Sequence, residues 1–294
     1  MQGKFKQKKT LGLALGGGGV RGLAHIGLLS QLEKSKIRVD AITGTSMGAM
    51  VGAIYALGIS METFLKELAK YAPKKYISFR TLNIFHESLM KGDDFDRMLQ
   101  GLFGDKKIED CKIPFSCTAV DLESGKLINL KEGLLWKAVR ASSSLPFILP
   151  PVFFQDKLLI DGGVVNNLPL LELREFGTEV VMGSRVNSLE FKQIMSADIY
   201  KMYYTPQKEG LLANLEFGLK YHERIKFMLD IILRTLEVAM DDASQYRIVE
   251  AKPDLLIEMT VPVGMIEMEK GDAAIEVGKG YMEKYLLTLK KLIS

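Results

Sequence analysis

The sequence predicts an α/β fold built on a central, mostly parallel sheet covered by helices. Three observations predict it. Short apolar runs alternate along the chain with longer stretches of helical spacing. Two of those runs end in glycine-rich turns, Gly16-Gly17-Gly18-Gly19 and Gly44-Thr45-Ser46-Met47-Gly48, each leading directly into a helical pattern. The 294 residues, 47% apolar and 26% charged, have the make-up of a globular chain that buries a full core, which sets aside disordered, fibrous and disulfide-scaffold classes.

Thr10 to Leu15 reads as the first strand, and Gly22 to Lys34, with Leu23, Ile26, Leu29 and Leu32 at helical spacing, as the helix after its glycine loop. Val39 to Thr43 is a second strand and Met47 to Leu57 a buried helix of small and apolar residues. Met61 to Tyr71 and Asp93 to Phe103 read as amphipathic helices, the second capped by Asp93 or Asp94. Strands follow at Ile113 to Val120 and Lys126 to Leu130, joined by a turn over Asp121 to Gly125. Beyond Trp136 and Arg140, Ala141-Ser142-Ser143-Ser144-Leu145-Pro146 opens a loop that runs to Pro150 and Pro151. Val152 to Ile160 is a hairpin turning at Gln155 to Lys157 and delivering Asp161-Gly162-Gly163. Thr178 to Val186 is a further strand, Asn187 to Glu250 mostly helix, Asp254 to Val261 a late strand, and Asp272 to Ile293 a closing helix. No repeat or linker divides the chain. Residues 10–186 form the expected core, and 187–294 complete the same domain.

Several function classes lose their footing on composition. Cys111 and Cys117 are the two cysteines, too close for a framework, which suggests a reducing compartment. With His25, His86 and His222 as the histidines, no CxxC, HxH or HExxH spacing offers a metal site, so no metal and no cofactor are expected. The net charge of +3 includes Lys4, Lys6, Lys8 and Lys9 around Phe5, a weak membrane or polyanion signal; nucleic acid is not an expected partner. Four glycines interrupt the apolar run after that tail, so a secretory leader is not expected. Ala41 to Met61 carries no charged residue over roughly the length of a spanning helix, but its glycines and Thr43, Thr45 and Ser46 fit strand, turn and buried helix better. The expected location is cytoplasmic, with peripheral contact at the inner face of a membrane.

Three features carry chemistry. Gly17-Gly18-Gly19-Val20-Arg21-Gly22 places bare backbone amides before a helix, a setting for a phosphate or an oxyanion. On this motif alone a dinucleotide site leads, with Asp40 at the distance of a ribose-binding acid. Gly44-Thr45-Ser46-Met47-Gly48 is a G-x-S-x-G nucleophile elbow between strand and helix, which makes Ser46 the candidate nucleophile. A histidine partner is poorly supplied: His25 reads as core, His86 as loop and His222 as part of a charged helix face. Asp161, at a strand end before two glycines, offers an exposed carboxylate as a direct base; taken alone, Asp-Gly-Gly is an ordinary turn.

Together, Gly-Gly-Gly-x-Arg-Gly, G-x-S-x-G, Ala-Ser-x-x-x-Pro and Asp-Gly-Gly followed by Asn and Pro resemble the patatin-like phospholipases. The resemblance runs from Leu11 to Val186, more weakly over Ile231 to Ala243 and the last strand and helix. It implies a three-layer sandwich and a Ser/Asp dyad without histidine: Ser46 as nucleophile and Asp161 as base. The amides of Gly17, Gly18 and Gly19 would form the oxyanion hole, chiefly Gly18 and Gly19, in a loop held by Arg21. Gly16 stands where serine is frequent in the family, and glycine rather than alanine follows Asp161; neither change removes a reacting group. Ser142 to Ser144 read as positioning residues, and Asn166, Asn167 and Pro169 as tying down the aspartate loop by Asx-type bonds. The implied substrate is a lipid ester, of a phospholipid or lysophospholipid. Ile194, Met195, Ile199, Met202, Tyr203 and Tyr204 suggest a flap over about 190–221, with core packing or a dimer contact as the competing reading. A non-catalytic lipid-binding relative and a dinucleotide-dependent oxidoreductase stay open as alternatives.

Overall fold

The computed structural model describes residues 6–71, 92–188, 211–265 and 267–294; side chains of 67–71, 211–230 and 268 lie outside that description. His86, the cluster from Ile194 to Tyr204, residues 190–210 of the expected flap, Lys4, Phe5 and the side chain of His222 therefore fall outside the described residues, and 211–221 of that flap are the backbone of a helix.

The first strand, β1 (Leu11–Leu15), is buried along its whole length because it lies mid-sheet with helices on both faces. Leu11, Leu13 and Leu15 point into the larger core, which also takes in α1 (Ala24–Lys34), α2 (Met47–Ala56) and the C-terminal helix over Gly271–Leu292. Ala14 points the other way, into a thinner core with Leu168, Leu170, Leu173, Val181 and Ile248. The alternation is the period of two of a strand covered on both sides.

Along the sheet, β2 (Ala41–Gly44), β3 (Phe115–Asp121), β7 (Val180–Ser188) and β8 (Leu255–Val261) run parallel to β1, in the order β3-β2-β1-β7-β8. The antiparallel strands β4 (Leu127–Leu130) and β6 (Lys157–Asp161) both pair with β3, and β5 (Val152–Phe154) makes a hairpin with β6. The register at β3 positions the site. Cys117 pairs with Gly44 and with Leu130, whereas Ala119 pairs with Asp161 and with Ile128. Because β4 holds one edge throughout, β2 and β6 must occupy the other edge of β3, end to end. β2 leaves that edge at Gly44, and β6 arrives on it with Asp161 two residues further on.

The expected strands are present, with ends shifted by a residue or two; of the stretch from Asn187 to Glu250 expected to be mostly helix, Asn187 and Ser188 end β7, 189–210 lie outside the described residues, and Leu211–Ala251 is one long helix. Three local readings differ. An eight-residue helix, α5 (Leu135–Ser142), occupies what reads as the approach to a loop; it buries Leu135, Ala138, Val139 and Ala141, a face too short to show a period in sequence. A one-turn helix, α6 (Leu170–Arg174), follows Pro169. The helix α4 (Gly92–Phe103) starts before Asp93 and Asp94, so these lie in its first turn, where they oppose its dipole, and not at its cap.

At the amino end of the sheet the chain is braced. The Lys8 and Lys9 amides both donate to Ile293 O, at 2.8 and 3.2 Å. Asp40 Oδ2 accepts the Leu11 amide at 2.8 Å, and the Asp40 amide donates to Leu11 O at 2.7 Å. Asp40 thus joins β1 to β2 at the end away from the glycine loop, and cannot meet a ribose there.

Candidate active site

Gly44 ends β2, and the chain reverses into α2 within three residues. Ser46 takes the corner at φ 55°, ψ −123°, a conformation that costs a non-glycine residue about 1–3 kcal/mol and persists only under outside support. The support is visible. A Cβ on Gly48 would lie 2.3 Å from Leu15 O and 2.6 Å from Gly16 O, so α2 sits directly on the end of β1. The Ser46 amide donates to Ser142 Oγ at 3.0 Å. Thr45 Oγ1 meets Thr118 Oγ1 at 2.7 Å and donates to Asn166 O at 3.2 Å. Ser46 itself is half-buried, at the positive end of α2.

Thr118 occupies the gap between β2 and β6 on the edge of β3. Its backbone is also where Gly162 packs: a Cβ there would fall 2.5 Å from Thr118 O. Ser46, one residue after Thr45, and Asp161, one before Gly162, therefore flank the same threonine. The Ser46 hydroxyl is near enough to the Asp161 carboxyl to pull its pKa downward.

Asp161 is buried, only 1% exposed, and not the open carboxylate expected from its two glycines. Close approach is what the glycines permit, and it brings Thr118 and the Met240 methyl over the turn. The Asp161 amide donates to Ser144 O at 3.0 Å, and Oδ1 accepts from the Gly163 amide at 2.8 Å. Burial raises the carboxyl to about 7 from an ordinary 3.8; the Gly163 amide and the Ser46 side chain pull against that rise.

The glycine loop enters from β1 at Gly16, whose amide donates to Ser184 O at 2.9 Å. The Gly17 amide is already engaged, donating to Asn167 O at 3.2 Å and Asn167 Oδ1 at 3.1 Å; Asn167 Nδ2 donates back to Gly17 O at 3.4 Å. Gly17 is thus a tie, seated where a side chain would crowd Ser46 Cβ at 3.0 Å. Among the described residues the amides of Gly18 and Gly19 donate to no acceptor. Arg21 is buried; its Nε donates to Gly18 O at 3.4 Å and its guanidinium pairs with Glu237.

The asparagines differ from expectation. Asn166 donates through Nδ2 to both Glu172 oxygens, at 3.1 and 3.0 Å, and Asn167 reaches the glycine loop, so neither forms an Asx-type bond within its own turn. Asn167 and Glu237 are the site residues whose partners the sequence does not signal: they lie 150 and 216 positions from Gly17 and Arg21. His25 is fully buried, with Nε2 2.8 Å from Gly16 O and Nδ1 3.1 Å from Ser184 Oγ; burial lowers it to about 4, so it is a neutral structural group.

Comparison with known proteins identifies the family and the fold. The patatin-like phospholipase family profile matches residues 13–174. Lysophospholipase NTE1 of Scheffersomyces stipitis is 30% identical over 296 residues, covering 98% of this chain and 18% of that protein. The enzyme of the same name from Candida albicans is 30% identical over 289 residues, covering 95% of this chain and 20% of that protein. The chain therefore spans no more than about a fifth of the length of these relatives. Among solved structures, VipD from Legionella pneumophila shares the fold, with a TM-score of 0.51 at 12% identity, over 96% of this chain and 67% of that one.

Proposed function

This chain belongs to the patatin-like phospholipase family and is a hydrolase, and from that premise we propose that it cleaves carboxylic esters of lysophospholipids or phospholipids through a Ser46/Asp161 dyad. The observation that supports the reading is the end-to-end seating of β2 and β6 on one edge of β3, which sets Ser46 and Asp161 on either side of Thr118. The preference for lysophospholipid rests on the names of the relatives.

Asp161 replaces histidine because of where it is buried. An ordinary carboxylate is a weak base for a serine hydroxyl, whereas a carboxyl raised to about 7 approaches the basicity of imidazole. In the ionised state Asp161 accepts the Ser46 proton as Oγ bonds to the ester carbonyl carbon. The carbonyl oxygen becomes an oxyanion, and the uncommitted amides of Gly18 and Gly19 are the donors available to it. Collapse of the intermediate breaks the bond to the glycerol oxygen, which takes the proton back from Asp161. The acyl-Ser46 is then attacked by water, Asp161 again accepting a proton, and the fatty acid leaves as Ser46 regains its hydrogen.

A fluorophosphonate probe tests the assignment. Wild-type protein should be labelled and Ser46→Ala should not, with loss of p-nitrophenyl ester hydrolysis in parallel. Labelling or hydrolysis that survives in Ser46→Ala would sink the dyad, and wild-type protein inert to both would favour a non-catalytic lipid binder.

A further inference from the structure

We propose that Glu237, on the long helix α7 (Leu211–Ala251), is a positioning residue that sets the oxyanion-binding peptide through Arg21. The inference rests on the reading above, in which the Gly18 and Gly19 amides receive the oxyanion. In a trans peptide the carbonyl and the following N–H point in opposite directions. Arg21 Nε holds Gly18 O, so the Gly19 N–H is presented on the side away from Arg21. The direction of that donor is therefore only as fixed as the guanidinium.

Arg21 is 5% exposed, and a buried guanidinium needs a counter-charge to stay in one place. Glu237 supplies it from outside the sheet, and is itself held at both oxygens: Oε1 pairs with Arg21 and Oε2 accepts from Arg234 at 2.9 Å. The same face of α7 reaches the other half of the site. Met240 packs over Gly163, and Ser244 Oγ accepts the Asn167 amide at 3.3 Å. Positions 237, 240 and 244 share one helix face by their spacing, so a single element registers the glycine loop against the aspartate loop.

Asp241, one residue past Met240, provides the control. It pairs with Arg185, which is 2% exposed on β7, so it docks the same helix through a buried arginine, without a bond to Gly17, Gly18 or Gly19. Steady-state hydrolysis of a soluble short-chain p-nitrophenyl ester by Glu237→Ala, Glu237→Gln, Asp241→Asn and Ser46→Ala separates the roles. Loss of a direct oxyanion donor typically lowers turnover roughly a hundredfold to a thousandfold, so loss of its positioner should lower kcat roughly tenfold to a hundredfold. In Glu237→Ala we expect that fall with KM within about twofold and the pH midpoint unchanged. Glu237→Gln, which keeps an acceptor at the same reach, should recover part of it, and Asp241→Asn should keep kcat within about twofold. An equal loss in Asp241→Asn, a loss confined to KM, or wild-type kcat in Glu237→Ala would overturn the proposal. If Glu237→Ala does not fold, Glu237→Gln decides: a reduced kcat at unchanged KM supports the proposal and wild-type kcat overturns it. Hydrolysis retained in Ser46→Ala would instead strike the parent reading.

Discussion

The two ends of β1 are finished in opposite ways. At the amino end, Asp40 closes the Leu11 amide and carbonyl, and the Lys8 and Lys9 amides share Ile293 O. At the carboxyl end, two glycine amides have no acceptor among the described residues, Ser46 holds a strained corner, and a carboxyl is buried against its own ionisation. One strand thus has a satisfied end and an unsatisfied one. Folding energy is spent at the second, which is where a reacting group gains from groups already in place.

Asp161→Asn should break this contrast most strongly. As general base its loss should lower ester hydrolysis roughly a hundredfold to ten-thousandfold. The same substitution should stabilise the protein at neutral pH. A carboxyl raised to about 7 in the fold, against 3.8 ordinarily, favours the native state fully below about pH 4 and loses that contribution as pH rises to about 7. At 1.36 kcal/mol per unit the loss is about 4 kcal/mol, so the Tm advantage of Asp161→Asn should grow from pH 4 to pH 7 and then level off. Wild-type kcat/KM should rise about tenfold per pH unit below the same midpoint and then plateau. A rate profile flat between pH 5 and 8 would remove Asp161 as the base.

Gly48→Ala attacks the strained corner itself. The new Cβ meets two backbone oxygens, at 2.3 and 2.6 Å, neither of which can swing aside. A cost of about 3 kcal/mol or more in urea unfolding is expected, with hydrolysis lost as the elbow shifts. Unchanged stability would mean that α2 does not press on β1 as described.

Asp40→Ala sharpens the comparison from the quiet end. Losing the acceptor of the Leu11 amide should cost about 1–2 kcal/mol in the same unfolding measurement, and kcat should stay at the wild-type value. A fall in kcat would show that the two ends of β1 are mechanically coupled.

How much of this was legible in the sequence follows the range of each interaction. The glycine loop and the elbow are local: an apolar run, a turn of small residues and a helical period all lie within a dozen positions, so strand, turn and helix could be read with Ser46 at the corner. Asp161 was readable as a strand end, but its burial was not, because that depends on β6 following β2 along the edge of β3. Arg21 had a motif around it and Glu237 had none; in sequence it is one acid in a long helical pattern. The expected Asx bonds at Asn166 and Asn167 followed the local preference of asparagine, which lost to partners brought in by the tertiary fold. Helix α5 was missed for a related reason. Two turns give too few repeats for a period to stand out, while the Ser142 hydroxyl it carries to the Ser46 amide is a consequence of where it ends.

His25 has a use beyond packing. Its ring bridges Gly16 O and Ser184 Oγ, so the proton belongs on Nε2, pointing at the residue just before the glycine loop. Held near 4 by burial, the ring stays neutral across the range in which Asp161 titrates. A buried imidazole N–H in such a bond exchanges slowly with solvent, and with three histidines in the chain its NMR resonance can be assigned by one substitution. It is a built-in reporter whose frequency should move when an inhibitor on Ser46 pulls the loop, and should stay put when only the distant surface changes.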